Sequence, residues 1–168
     1  LESLEHFPST LPARRFSAFT SWVSISVGCN NTCTFCIVPT LRGVEKDRQP
    51  ADILTEMRAL VDQGVIEITL LGQNVNSYRY EENGSELDFS GLLRKILSET
   101  ESIDWIRFMS SHPKDVPDDL ITLIAENDRL CSHIHLAVQH GSDSVLKRMG
   151  RRINREQIEK LILKMKVK

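Results

Sequence analysis

Two periods of apolar positions alternate along the chain, and the switches between them mark its elements. Phe19, Ser21, Val23, Ile25 and Val27 occupy alternate positions with β-branched enrichment, which predicts a strand ended by Gly28. Ile53, Leu54, Met57, Leu60 and Val61 then recur at helical spacing, with Pro50 suited to the first turn and Gly64 to the C-terminal cap. Val65 to Leu71 is a short apolar run suited to a buried strand. Leu92, Leu93, Ile96 and Leu97 predict a second helix that Asp88 or Ser90 is placed to cap. Trp105 to Met109 reads as a third strand, and Leu120, Ile121, Leu123 and Ile124 as a third helix. Ser132 to Val138 reads as a fourth strand, and Asp143 to Met149 as a short helix. A last helix begins near Asn154, whose spacing to Gln157 fits a capping box; it is expected to bury Ile158, Leu161, Ile162 and Met165. Between these elements, residues 37–50 and 72–86 read as irregular loops. Residues 1–18, with Pro8, Pro12 and Arg14-Arg15, read as a linker or arm.

Four successive β–α units imply a parallel sheet with right-handed crossovers. In such α/β folds the loops at the C-terminal ends of the strands carry the chemistry. Here those loops hold three clustered cysteines, then Gly72-Gln73-Asn74, Ser110-Ser111-His112-Pro113 and Gln139-His140-Gly141-Ser142. Four polar loops are therefore expected on one rim. A complete eight-strand barrel takes roughly 250 residues. The expectation for residues 19–168 is accordingly a partial (β/α) TIM-like barrel.

Composition changes this picture little. The chain has 168 residues, 40% hydrophobic and 26% charged, as in a globular domain. A net charge of -2 provides no global basic field for nucleic acid and leaves a local basic face open. The sequence shows no apolar run of membrane-spanning length, no signal-peptide pattern and no disulfide framework, so no membrane partner and a cytoplasmic location are expected.

The candidate chemistry centres on Cys29, Cys33 and Cys36, spaced C-x-x-x-C-x-x-C. Thiolates this close in sequence can converge on one inorganic centre. Three of them leave a coordination position open, which is where metal sites do chemistry. A Cys33–Cys36 redox pair would leave Cys29 unexplained, and a structural zinc needs a fourth ligand. An iron–sulfur cluster with one vacant iron accounts for all three. Cys131, at the edge of an apolar strand, reads as a core residue. Phe35 is either a hydrophobic plug or an apolar wall over the cluster and a bound cofactor. Gly72, Gln73 and Asn74 suit a turn and equally a ligand. Gln139 and Ser142 suit ribose or carboxylate contacts and also helix capping. Among the histidines, His140 is expected to face the site and His135 to sit in the core or an interface. Arg42, Lys46 and Arg48, and Lys147, Arg148, Arg151, Arg152 and Arg155, form two basic clusters; these read as solvated faces or as contacts for RNA phosphates.

The three-cysteine motif with an aromatic before its last member resembles the signature of radical S-adenosylmethionine (SAM) enzymes. CTFCIVPTLRG, LLGQNVNSY, SSHPKD and HLAVQHGSDSVLKRMGR together resemble the methylthiotransferases of that family, the tRNA-modifying MiaB type in particular. The resemblance runs from about Ser21 to Lys164. It departs at His140, where the family usually has serine.

The resemblance implies a [4Fe–4S] cluster on Cys29, Cys33 and Cys36 whose open iron chelates SAM. Reductive cleavage of SAM yields a radical that takes a hydrogen from an adenine C2 position, where a methylated sulfur is then added. It implies Gly72, Gln73 and Asn74 at the methionine end of SAM, Phe35 against its adenine, and Gln139 on the ribose side. The substrate implied is the isopentenylated adenosine beside the anticodon, with the tRNA anticodon loop and an electron donor as partners and a monomeric parent protein. It also implies absent parts: an N-terminal domain with a second [4Fe–4S] cluster, the last β–α units and a C-terminal RNA-binding domain. Alternatives are a sister methylthiotransferase acting on threonylcarbamoyl-adenosine or a ribosomal-protein aspartate, and a non-catalytic metal-stabilised RNA-binding module.

Overall fold

The computed structural model describes residues 17–82 and 84–167. The expected arm over residues 1–18 lies outside the described residues except for Ser17 and Ala18. In chain order the elements begin with β1 (Thr20–Ser24), β2 (Ser26–Val27), α1 (Val38–Arg42), β3 (Lys46–Asp47) and α2 (Pro50–Val61). There follow β4 (Glu67–Leu71), β5 (Arg79–Glu82), β6 (Ser85–Asp88), α3 (Phe89–Glu99) and β7 (Trp105–Phe108). The chain closes with α4 (Asp118–Ala125), α5 (Asp143–Arg148) and α6 (Arg155–Val167).

The central sheet is parallel, in the order β1-β4-β7, and its register aligns Val23 with Leu70 and Leu70 with Phe108. Strand side chains alternate between faces. Val23, Ile68, Leu70, Ile106 and Phe108 therefore share one face, and all are buried. Ile53 and Met57 of α2, Leu92, Leu93 and Ile96 of α3, and Leu120 of α4 belong to the same core. Phe108 meets Phe89, at the start of α3, edge to face with ring centroids 5.1 Å apart. The opposite face carries Trp22, 70% exposed, Trp105, 48% exposed, and the Arg107–Glu67 ion pair at 2.8 Å.

Local signals place the helices. Pro50 opens α2 at its first position. The Asp88 side chain caps α3 by accepting from the Gly91 N–H at 2.8 Å. At α6 the capping box is reciprocal: Asn154 N–H donates to Gln157 Oε1, and Gln157 N–H to Asn154 Oδ1, both at 2.9 Å. Ile158 and Leu161 of α6 are buried as expected, whereas Ile162 is 37% exposed.

Three segments differ from their expectations. Residues 37–50 contain α1 and β3, and β3 pairs antiparallel with β2 to pin the base of the cysteine loop. The expected loop over 72–86 contains the β5–β6 hairpin, with Arg79 opposite Asp88. Its Asn83-Gly84 pair is a strong hairpin signal in the sequence. The expected fourth strand, Ser132 to Val138, is not a regular strand: the parallel bridge Ile106–Leu130 falls just before it and the bridge Ser111–Leu136 within it. Tight bonds from His133 N–H to the Cys131 carbonyl, 2.6 Å, and from Val138 N–H to the Leu136 carbonyl, 2.9 Å, interrupt the ladder between and beyond them.

Candidate functional site

β2 leads into Gly28, where the chain turns at φ +86°. A Cβ there would lie 2.2 Å from the Val44 carbonyl oxygen, so only glycine fits. Gly28 N–H donates to Gln73 Oε1 at 2.7 Å, tying the start of the cysteine loop to the loop after β4. Farther along, Thr34 N–H donates to the Met149 carbonyl at 3.0 Å and Thr34 Oγ1 to the Arg148 carbonyl at 2.9 Å. The cysteine loop is thus clamped between β4 and the segment after α5.

Inside the loop all three cysteines are free thiols; Cys29 and Cys33 are half-buried and Cys36 is exposed. They line one cavity of about 260 Å³. Nitrogen donors already face two of the sulfurs. The backbone N–H and side-chain Nδ2 of Asn31 each lie 3.5 Å from Cys29 Sγ, and Arg151 Nη1 lies 3.3 Å from Cys33 Sγ. Among the described residues no group of three His, Cys, Asp or Glu side chains could hold a single metal ion. The thiols are instead disposed around a cavity. Three thiols around one cavity suit the separate corners of a multi-iron cluster.

Four of the other predicted positions share the cavity. Phe35, 51% exposed, stands at its wall beside Gln73, Asn74 and Gln139. Gln73 spends its carbonyl oxygen on Gly28, and its amide nitrogen has no partner among the described residues. Asn74 is buried and braces the rim: Oδ1 accepts from His112 N–H at 3.1 Å, and Nδ2 donates to Asp115 Oδ2 at 2.8 Å. Gly72 does not line the cavity. It is a packing position, since a Cβ there would meet Ser26 Oγ at 2.5 Å.

Ser110, His112, His135 and Arg151 complete much of the lining. The Ser110–Pro113 segment was legible as a rim loop, whereas nothing set Arg151 apart within its basic run. His135 faces the cavity where His140 was expected. Without a regular fourth strand to turn it inward, His135 is exposed, and its Nδ1 accepts from Ser110 N–H at 3.2 Å. His140 lies outside the cavity, and its Nδ1 accepts from Ser142 N–H at 2.9 Å. Burial pushes His112 down to about 4, helped by the positive charges of Arg151 and Lys114 and opposed by Asp115, so it is neutral near pH 7. Ser110 and Gln139 hold left-handed backbone, at φ 65° and 74°. They are the two described non-glycine residues that do so, and both line the cavity. Strain of this kind collects at ligand sites. Cys131 is buried away from the site, its thiol pushed up by burial, as a core residue should be.

A family model described as the radical SAM superfamily matches residues 23–168. The chain belongs to the radical SAM superfamily. Within it, the chain is 58% identical over 151 residues to the tRNA-2-methylthio-N(6)-dimethylallyladenosine synthase of Saccharopolyspora erythraea, covering 90% of this chain and 30% of that protein. It is 54% identical over 166 residues to the enzyme of the same name from Salinispora arenicola, covering 99% of this chain and 33% of that protein. The chain thus spans about a third of the length of these relatives. Its fold is similar to that of the radical SAM methyltransferase TsrM from Kitasatospora setae, solved with cobalamin and a [4Fe-4S] cluster bound. That match has a TM-score of 0.67 at 18% identity, over 88% of this chain and 29% of TsrM. The cobalamin-dependent SAM radical enzyme OxsB matches with a TM-score of 0.64 at 17% identity, over 86% of this chain and 22% of OxsB. At such identities the likeness concerns the fold, and the α/β reading of a partial radical SAM barrel stands.

Proposed function

We propose that this radical SAM chain is the cluster-bearing part of a tRNA methylthiotransferase that converts N6-isopentenyladenosine beside the anticodon to its 2-methylthio derivative. The observation that carries the reading is the single cavity shared by three free thiols, Gln73 and the two strained rim residues Ser110 and Gln139. Cys29, Cys33 and Cys36 would hold a [4Fe–4S] cluster, and the donors on Cys29 and Cys33 suit thiolate ligands. When bound, the cluster and SAM together supply reductive cleavage of the sulfonium carbon–sulfur bond. The chain's own residues position and enclose. The free amide nitrogen of Gln73 offers a donor to the carboxylate of SAM. Asn74 holds the His112 loop in place rather than reaching for a ligand. Phe35 supplies an apolar wall against an adenine ring, and Gln139 a polar contact to a ribose. Neutral His112 keeps a further positive charge out of the cavity wall.

The names of the relatives favour dimethylallyladenosine over threonylcarbamoyl-adenosine or a protein aspartate as the substrate. The target base would leave the anticodon-loop stack to reach the cavity. The same reading includes an external electron donor, a monomeric cytoplasmic parent, and further domains that carry a second cluster and RNA contacts. Among the described residues no helix is long and apolar enough to cross a membrane.

The test is anaerobic reconstitution of the chain with iron and sulfide, followed by reduction and paramagnetic resonance with and without SAM. A [4Fe–4S] signal that changes on adding SAM is expected, lost in Cys33→Ala and kept in Cys131→Ala. A colourless zinc protein, or a signal indifferent to SAM, would leave the RNA-binding module as the better reading.

A further inference from the structure

A second cavity, of about 460 Å³, adjoins the cysteine loop and is lined by Lys147, Arg151 and Arg152 together with Thr32 and Asn154. Most cations elsewhere on the described surface are paired: Arg58 with Glu99, Arg94 with Asp119, Lys164 with Asp118. Lys147 and Arg152 are exposed, and their side chains have no ion pair or hydrogen bond among the described residues. Asp143 is the one acidic lining residue, and its carboxylate is engaged by the Arg155 N–H at 2.6 Å. Arg151 is only 8% exposed, and its Nε has no hydrogen-bond partner. Its Nη1 and Nη2 are already engaged by Cys33 Sγ and the Ala137 carbonyl, so Arg151 contributes positive charge to the cleft while Lys147 and Arg152 offer the free donors. The N-terminus of α6 opens at the same cleft through its cap Asn154, adding partial positive charge.

From these features we infer that the cleft binds the phosphodiester backbone of single-stranded RNA. Several cations spread over an open cleft suit a chain of phosphates better than one small anion, and guanidinium groups fork phosphate oxygens. The placement favours this ligand as well. Arg151 lines both this cleft and the cysteine cavity, and a Cβ on Gly150 would lie 2.8 Å from the Thr32 carbonyl. A strand held in the cleft would therefore present a neighbouring base next to the cavity. The choice of RNA as the polyanion rests on the tRNA-modifying reading above.

The test is fluorescence anisotropy of the full chain with a labelled single-stranded RNA of anticodon-loop length, across a sodium chloride series. The double variant Lys147→Gln/Arg152→Gln should bind several-fold more weakly. Its slope of log affinity against log salt should be shallower by about 1.4, roughly 0.7 for each phosphate that is no longer neutralised. Lys166→Gln, near the C-terminal end of α6, should bind like the parent. An unchanged double variant, an equal loss in Lys166→Gln, or a parent chain that does not bind the RNA would each overturn the inference. Cleft-dependent RNA binding by a chain whose cluster ignores SAM would sink the enzymatic reading and leave this one standing. A SAM-responsive chain whose RNA binding ignores the cleft would do the reverse.

Discussion

Arg151 and Cys33, separated by 118 residues in sequence, meet with guanidinium Nη1 3.3 Å from the thiol sulfur. The same guanidinium donates through Nη2 to the Ala137 carbonyl. One buried side chain thus fastens the cysteine loop to the segment that follows β7 and α4, and it holds positive charge against the Cys33 sulfur.

Replacing Arg151 by methionine should keep the packing of its stem and remove both donors. The expected cost is about 1–3 kcal/mol in urea unfolding, from unmet polar partners. Iron retained per chain after reconstitution should fall as well. Arg151→Lys restores charge without the planar fork and should recover only part of the iron. Full iron loading in Arg151→Met would show that the Cys33 contact is incidental.

Gly28 and Gly43 both have positive φ, 86° and 75°, yet they should respond differently to alanine. At Gly43 nothing lies within 4 Å of the new Cβ, so only backbone strain is expected, roughly 1–3 kcal/mol because φ 75° with ψ -162° is a conformation that glycine alone adopts readily. At Gly28 the Cβ would strike the Val44 backbone, and β2, β3 and the cysteine loop would have to part. Gly28→Ala should cost roughly 3 kcal/mol or more and impair cluster binding. Paired urea melts and iron determinations measure the contrast.

The pH dependence of stability should include two opposed contributions, from Asp47 and His112. Burial pushes Asp47 up to about 6 from an ordinary 3.8; the Arg79 N–H opposes this, and the charge of Glu45 adds to it. The folded chain then binds more protons at this site between those values, and its contribution is lost as pH rises through the window. His112, lowered from 6.5 to about 4, contributes stability above pH 6.5 that is lost as pH falls toward 4. Asp47→Asn removes the first contribution alone. It should stabilise the chain at pH 7 by about 1 kcal/mol after discounting for its partial exposure. It should also steepen the acid-side loss between pH 6.5 and 4. Thermal melts from pH 4 to 8 test both expectations.

Where one face of an element is apolar, the sequence shows the fold directly. The strands at Val23, Ile68 and Ile106 and the helices at Met57 and Ile96 stand out by period because each buries one face in a common core. The β5–β6 hairpin does not, because Arg79, Glu81 and Glu86 put charge where a strand pattern would put apolar residues. The segment from Ser132 to Val138 misleads in the other direction: its residues suit a strand, but its backbone folds on itself between two isolated bridges. The site divides similarly. The cysteines are legible by local spacing, and the Gln73 and Gln139 loops by their place after predicted strands. His135 depends on the irregular path of that segment. Arg151 depends on a contact with no local signature, and in sequence it looks like its basic neighbours.

Gln73 allows bracing and ligand binding to be separated at one side chain. Its Oε1 accepts from Gly28 N–H at 2.7 Å, while its amide nitrogen is uncommitted among the described residues at the wall of the cysteine cavity. Gln73→Glu keeps length and acceptor, so the Gly28 turn should survive with little change in stability. It replaces the free donor with a second acceptor, which cannot hydrogen-bond a SAM carboxylate. SAM affinity should fall about tenfold, equivalent to about 1.4 kcal/mol. Gln73→Ala strips both functions and leaves the Gly28 N–H without its partner, so it should lose about 1–3 kcal/mol of stability in addition. Titrating SAM against the resonance signal of the reconstituted cluster, beside urea melts of both variants, measures the two effects. If Gln73→Glu bound SAM as tightly as the parent, Gln73 would be a brace for the cysteine loop and nothing more.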